Sequence, residues 1–524
     1  MLGSPPALHR GMPGVETPFA LKLSSGTDRN SAESITTHRW WSKVWRNHAY
    51  ILPSFLISLV VCAWFVTWGD WNFFEPEQFC GFYDAQALSM IDGRLNVPPT
   101  AIASEAFVFE GKTYGYFGIA PALLRLPLIV AFDGMDGLWS RLMMMIACAI
   151  NLICAYRILR LIRRDAVTTR TQRVLHSLFI LCAGIGSTNV FLIGRSFTYH
   201  EAIMWGGTFG LLFAWTLLKY FAKPSLGLLA LASLFAFMSF HSRATVGTGT
   251  LLAMCSLIGI LIWRAIANPQ AAHSWLAFGV TAKPFQHALI AAIAVSVTVA
   301  TYFGVNYAKF RTLNGVPLQY YNFYKQIPVR MQITSGRQIH IENIPTTLAT
   351  YFGLHGVSFD RNFPWVFPSR DPMIVGSPAI DVVEGFSTYP TSMPALTLLA
   401  VAGCALLVRG SGDMIRRVRL PAITLLAGGG IILATVGITE RYLHDLYPAL
   451  IVCAAVGVTR LESERRAAGK TAVIAVLSLI SVALNCSFSL IHQRTTTGSP
   501  LAKQIEFKQL QQSIDRLLHG QSRG

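Results

Sequence analysis

Acid is the scarcest chemistry in this chain: Asp and Glu number 26 against 43 Lys and Arg, and only 13% of the 524 residues carry charge. Soluble domains devote roughly a quarter of their residues to charge, so a water-facing globular fold is excluded. Alternating short apolar segments are missing, which excludes a transmembrane β-barrel. Of nine cysteines, Cys62, Cys148, Cys154, Cys182, Cys255, Cys404, Cys453 and Cys486 lie in apolar runs and only Cys80 lies in a polar loop. That spacing makes neither a disulfide framework nor a metal-ligand set. Walker and Rossmann glycine patterns are absent, which argues against energy coupling by nucleotide hydrolysis on this chain. No internal repeat stands out.

What is present is apolar length. Hydrophobic residues make up 52% of the chain, in runs near the roughly twenty residues that a membrane-crossing helix needs. The fold class expected is an all-α, polytopic transmembrane helical bundle of about eleven spans. The runs are Ile51–Trp68, Leu138–Leu161, Val174–Gly194, Ala202–Phe221, Leu226–Phe240, Val246–Trp263, His287–Val305, Met393–Val408, Leu420–Ile438, Tyr447–Leu461 and Thr471–Leu490. The piece Ile119–Phe132, interrupted by Pro121, Arg125 and Pro127, is too short to cross and is expected as an interfacial or re-entrant helix.

Charge supplies the orientation. The net charge of +17 is read as cytoplasmic loops holding Lys and Arg, not as a nucleic-acid surface, and no nucleic acid is expected as a partner. Residues 1–48 read as a disordered cytoplasmic tail, and the cluster from Arg157 to Arg173 also belongs inside. The first loop, 69–137, is then outside, as is the long segment 306–391. The segment 306–391 separates an N-terminal transmembrane region, 49–305, which contains the first loop, from a C-terminal one, 392–490, which is followed by an outer interfacial tail, 491–524. In that tail Leu501, Ile505, Leu510, Ile514, Leu517 and Leu518 fall near one helical face.

Cations on the translocated side run against this bias and need a reason. Arg195, His200 and Glu201 lie in the turn GRSFTYHE, His241 and Arg243 in FHSRAT, and Glu440, Arg441, His444 and Asp445 in ITERYLHDLYP. All three turns are expected on the face of the first loop, which carries Asp70, Glu75, Glu77, Asp84, Asp92, Glu105 and Glu110. A single Arg or His at a helix end ordinarily snorkels to headgroups, and Glu440 with Arg441 can simply pair. Their joint placement says more. Arginine forks suit a phosphate at the membrane boundary, and a nearby carboxylate suits a base that takes a hydroxyl proton. Together they fit transfer of a group from a lipid phosphate to an alcohol. Asp92, in Asp-Gly-Arg, reads as a helix-ending turn. Aromatic residues of the second outer segment, among them Tyr307, Tyr320, Tyr321, Phe323, Tyr324, Tyr351 and Phe352, suit either a sugar-stacking platform or an interfacial belt. Lys325, Arg330, Arg337 and His340 in the same segment suit acidic headgroups or an anionic acceptor.

The stretch FYDAQALSMIDGRL, with its context, resembles the GT-C class of polytopic membrane glycosyltransferases. In that class an outer loop after the first span carries an early acid, in a pattern that Asp84, Leu88, Gly93 and Leu95 follow in loosened form. YGYFGIAP, ALLRLP, the span closing at RILRLIRR and the late ERYLHDLYP are similar to features of the same class. The resemblance implies sugar transfer, with inversion, from a polyprenyl-phosphate donor to a glycan or lipid acceptor on the outer face of a cell membrane, the bacterial inner membrane being the expected setting. It implies Asp84 as general base and Arg195, Arg243 and Arg441 as holders of the phosphate, with His200 and His444 assisting and Glu201, Glu440 and Asp445 in support. Some members of the class use a divalent metal, although no ligand cluster here demands one. Two rivals are a transporter or flippase of lipid-linked saccharide, which would place paired charges inside spans, and a polysaccharide polymerase or ligase centred on the later loop.

Overall fold

The computed structural model describes residues 48–77, 79–132, 134–164, 166–267, 276–279, 281–496 and 498–519, and the expected cytoplasmic tail up to residue 47 lies outside them. One compact unit begins at Tyr50. Nine helices among the described residues are long and apolar enough to cross a membrane, and two shorter apolar helices, Leu226–Phe240 and Pro394–Arg409, bring the set to the eleven expected runs. The expected interfacial piece forms a further short helix, Ala120–Ala131, with Pro127 inside it. The architecture is an all-α polytopic bundle.

The boundaries differ from the hydropathy runs for local reasons. The run 174–194 is two helices, α1 (Arg170–Gly184) and α2 (Thr188–Ile193), because the Ser187 side chain caps the Asn189 amide and restarts the helix. Further back, Thr169 and Gln172 form a reciprocal capping box that extends α1 into the basic turn. The run 420–438 begins early, as α3 (Asp413–Gly429), and stops at three successive glycines, 428–430. A 3₁₀ turn, Gly430–Ala434, follows it, and then an extended strand, Gly437–Ile438. Glycine costs about 1 kcal/mol in a helix interior, so this is where the helix yields to extended chain.

Close helix contacts use small residues. Gly403 lies on Pro394–Arg409 and Gly457 on Tyr447–Glu462. A Cβ on Gly403 would meet Cys453 O at 1.9 Å, and one on Gly457 would meet Leu399 O at 1.9 Å. Backbones that approach this closely are a recurrent form of membrane helix packing.

The two long loops meet at one end of the bundle. In the first, α4 (Phe82–Ile91) carries Asp84 in its opening turn and ends at Asp92, which pairs with Arg94 at 2.6 Å in the open. A hairpin of β1 (Phe107–Phe109) and β2 (Lys112–Tyr114) follows. Its Phe107 bridges to Tyr321 of the second loop, with the two rings stacked 4.7 Å apart. The YGYFG run after β2 is fixed from two sides. Lys309 Nζ donates to Gly115 O at 3.0 Å and Phe117 O at 3.3 Å, and the Ala120 amide donates to His241 O at 2.9 Å. Gly118 makes that approach feasible, since a Cβ there would lie 1.9 Å from His241 O. In the second loop, Val382–Val383 pairs in parallel with Gly437–Ile438, which sets residues 381–384 beside the turn that carries Arg441.

Candidate functional site

These contacts enclose a cavity of about 290 Å³ where the loops meet the helix ends. Its charged lining is Arg243, Arg330 and Arg441 with Glu105, Asp381 and Glu384, and its aromatic lining includes Tyr116, Tyr199, Tyr321, Phe323, Tyr324 and Tyr442. An equal number of cations and anions leaves the empty cavity near neutrality. A second, smaller hollow shares Tyr116, Arg243, Gln338 and Tyr442 with it and continues toward Phe240 and Tyr302.

Arg243 is built into the wall by its neighbours. Gly206 lets its backbone approach, since a Cβ there would meet Arg243 Cβ at 2.3 Å. Nε and Nη2 donate to the two oxygens of buried Asp445 at 2.8 and 2.7 Å, a bidentate pair. Burial opposes the guanidinium charge, but Asp445 outweighs it and raises its pKa above the usual value. Arg441 donates to both oxygens of Glu384, one of them at 3.1 Å, and its guanidinium lies 4.7 Å from the Tyr199 ring. Burial works to raise the Glu384 carboxyl, yet Arg441 and the Thr439 hydroxyl overcome it and hold the group below its usual range. Arg330 donates to Asp381 at 2.9 Å and packs on Phe323 and Tyr324.

The other residues singled out from the sequence stand elsewhere. Asp84 is 1% exposed and does not line the cavity. Its Oδ1 accepts from Arg125 Nε at 2.7 Å and its Oδ2 from the Gly137 amide at 2.7 Å. Arg125 also donates to Glu201 at 2.6 Å, and Glu201 accepts from Ser140 at 3.0 Å, so one buried cation is shared by two carboxylates. Arg195 is buried against Trp68 and Phe197 and donates to Ser499 at 3.0 Å. Burial lowers its pKa. His200 Nδ1 donates to Arg195 O at 2.9 Å. His444 stacks on Tyr447 and bonds Thr188 at 2.9 Å, one residue from Asp445. Glu440 accepts from the Ser387 amide and hydroxyl at 2.5 and 2.8 Å and pairs with neither Arg441 nor any other cation among the described residues. Of the expected phosphate set, Arg243 and Arg441 line one cavity, whereas Arg195, His200 and His444 do not.

Sequence reasoning did not single out Tyr116, Tyr199, Asp381 or Glu384. Glu384 has a sequence signal, as an acid in the same segment, 306–391, as the aromatics and cations named above. No three of His, Cys, Asp and Glu gather to hold a metal ion among the described residues. Asp381 and Glu384 are each held by an arginine.

No protein-family model matches the chain, and no curated protein matches it. It is similar to solved structures of membrane-embedded transferases. One is the oligosaccharyltransferase of Archaeoglobus fulgidus in apo form, at 13% identity and a TM-score of 0.49, over 89% of this chain and 60% of that one. The same archaeal enzyme, AglB, in complex with an inhibitory peptide and a dolichol-phosphate, is 11% identical with a TM-score of 0.46, over 89% and 60% of the two chains. ArnT from Cupriavidus metallidurans, bound to undecaprenyl phosphate, is 11% identical with a TM-score of 0.42, over 90% and 72%. The chain thus spans about 60% of the length of the oligosaccharyltransferase. At these identities and scores the likeness assigns no residue and no reaction.

Proposed function

We propose that this chain is a membrane glycosyltransferase of the GT-C class. It moves a sugar from a polyprenyl-phosphate donor to a hydroxyl of a glycan or lipid acceptor, at the outer face of the bacterial inner membrane with the N-terminus cytoplasmic. The observation that carries the reading is the convergence of Arg243 and Arg441, from two separate helix ends, on one aromatic-lined cavity at the end of the bundle. A phosphodiester donor carries one negative charge, and its departure as a phosphomonoester adds another. Fixed guanidinium groups aimed at that oxygen stabilise the charge as it develops. Arg243 meets Asp445 through Nε and Nη2, which orients the fork and leaves Nη1 for the phosphate. The tyrosines give the sugar apolar faces with polar rims.

Asp84 enters this reading first as a tether. With Arg125 it ties α4 to Gly137 at the far end of the loop. To act as the base that the sequence resemblance implies, its carboxylate must leave both partners.

The test uses full-length protein in detergent or vesicles with labelled polyprenyl-phosphate hexoses and pentoses. Release of polyprenyl phosphate by the wild type, reduced by Arg441→Ala more through donor use than acceptor use, is the expected result. A wild type inert to every such donor rejects the reading.

A further inference from the structure

Sugar transfer needs a group to take the proton of the attacking hydroxyl, and three carboxylates line the cavity: Glu105, Asp381 and Glu384. Two are committed. Asp381 is nearly inaccessible and accepts from Arg330 at 2.9 Å and from the Tyr324 hydroxyl. Glu384 is held by Arg441 and by Thr439 Oγ1 at 3.0 Å. Arg441 favours the ionised form of Glu384 and makes it a poor proton acceptor, and Asp381 is shut away from solvent.

Glu105 differs. It is half-buried and makes no ion pair among the described residues. Its Oε2 accepts a hydrogen bond from the Tyr321 hydroxyl, while Oε1 makes none among the described residues. The two residues are brought together by backbone: the Asn322 amide donates to Ala106 O at 2.9 Å, and Phe107 stacks on Tyr321. Burial, reinforced by the Glu105 charge, raises the Tyr321 phenol above its usual value. The phenol therefore stays a donor at working pH and occupies one carboxylate oxygen.

We propose that Glu105 is the general base of the transfer, with Tyr321 as the residue that positions it. The assignment rests on the glycosyltransferase reading above. Glu105 Oε1 takes the acceptor hydroxyl proton as that oxygen bonds to the anomeric carbon from the face opposite the phosphate. The bond between the anomeric carbon and the phosphate oxygen breaks, and its electron pair leaves on the polyprenyl phosphate near Arg243 and Arg441. The proton then passes from Glu105 to water.

The experiment compares Glu105→Gln, Glu105→Asp, Tyr321→Phe and Asp84→Asn with the wild type, measuring turnover of labelled polyprenyl-phosphate sugars, its pH profile, and binding of undecaprenyl phosphate. The expected result is a loss of about 10²–10⁴-fold in turnover for Glu105→Gln, with undecaprenyl phosphate affinity kept within about threefold. Glu105→Asp should recover part of the rate. Tyr321→Phe, which removes the hydrogen bond that orients the carboxylate, should lower kcat while leaving KM for the donor unchanged, a split that a packing role would not produce. Glu105→Gln turning over at the wild-type rate overturns the assignment while leaving the transferase reading intact. Loss in Asp84→Asn with retention in Glu105→Gln returns the role to Asp84. A wild type inert to every donor overturns both readings together.

Discussion

Arg243 and Arg441 share the ring of Tyr442, their guanidinium carbons 5.4 and 5.5 Å from its centroid. The two arginines come from turns nearly two hundred residues apart, and this ring is what spaces them. Charged hydrogen bonds contribute about 1.5–3 kcal/mol each. Arg243→Ala or Arg441→Ala should therefore weaken undecaprenyl phosphate binding by about 10–100-fold, and Tyr442→Ala should weaken it without removing a cation. Titration calorimetry in detergent checks all three. Unchanged affinity in both arginine variants would move the phosphate out of this cavity.

Glu384 competes with the phosphate for Arg441, so Glu384→Gln should tighten binding of a polyprenyl phosphodiester, whose own charge is constant over this pH range. The same tightening should occur in the wild type on acidification. Because Arg441 holds the Glu384 carboxyl below its usual range, the pair is fully formed above about pH 4.3, the ordinary glutamate value. It is lost as the pH falls through the lower folded value. Affinity should therefore be flat near neutrality and rise only in acid, and a rise centred near pH 6 would point to another group.

One buried cation serves Asp84 and Glu201, which makes loss of an anion and loss of the cation unequal. Asp84→Asn leaves Arg125 with one carboxylate and a neutral partner. Arg125→Met leaves two carboxylates buried side by side, and breaking buried pairs costs about 3–5 kcal/mol. Thermal unfolding in detergent should show a much larger loss for Arg125→Met than for Asp84→Asn, and equal losses would mean that the pair is not shared.

Gly118→Ala should be strongly destabilising, since its Cβ has no room beside His241 O and the displaced strap carries Tyr116. A cost above about 1 kcal/mol with reduced donor affinity is expected, read from melting curves and ligand titration. A fully stable alanine variant would contradict the contact.

Single cysteines at Asp92 and Ser358, both outside the helical core, should react with an impermeant maleimide from the same, outer side of sealed vesicles. Labelling from opposite sides would break the orientation on which the transfer reading depends.

The spans are legible in the sequence because apolar length is a one-dimensional signal. Their breaks are less so: Ser187 ends one run and 428–430 another through backbone chemistry that hydropathy does not weigh. Arg243 and Arg441 could be picked out because cations on the side expected to be translocated run against the charge bias. Arg195 satisfied the same rule, yet it folds back against Trp68 and the residues after the last span, a contact 304 positions away. Asp84 could be recognised as an early acid, but no local pattern shows that Arg125, 41 residues on, takes its charge. Glu384 depends on the parallel register of Val382 with Gly437, and two-residue strands leave no periodic trace.

The stacked pair Phe107 and Tyr321 lines the cavity with one ring from each long loop. Glu105 belongs to the first loop and Tyr321, which holds it, to the second, so the base is set only where the two loops touch. Anything that shifts one long loop against the other therefore reaches the proposed base and the rings that face the sugar at the same time.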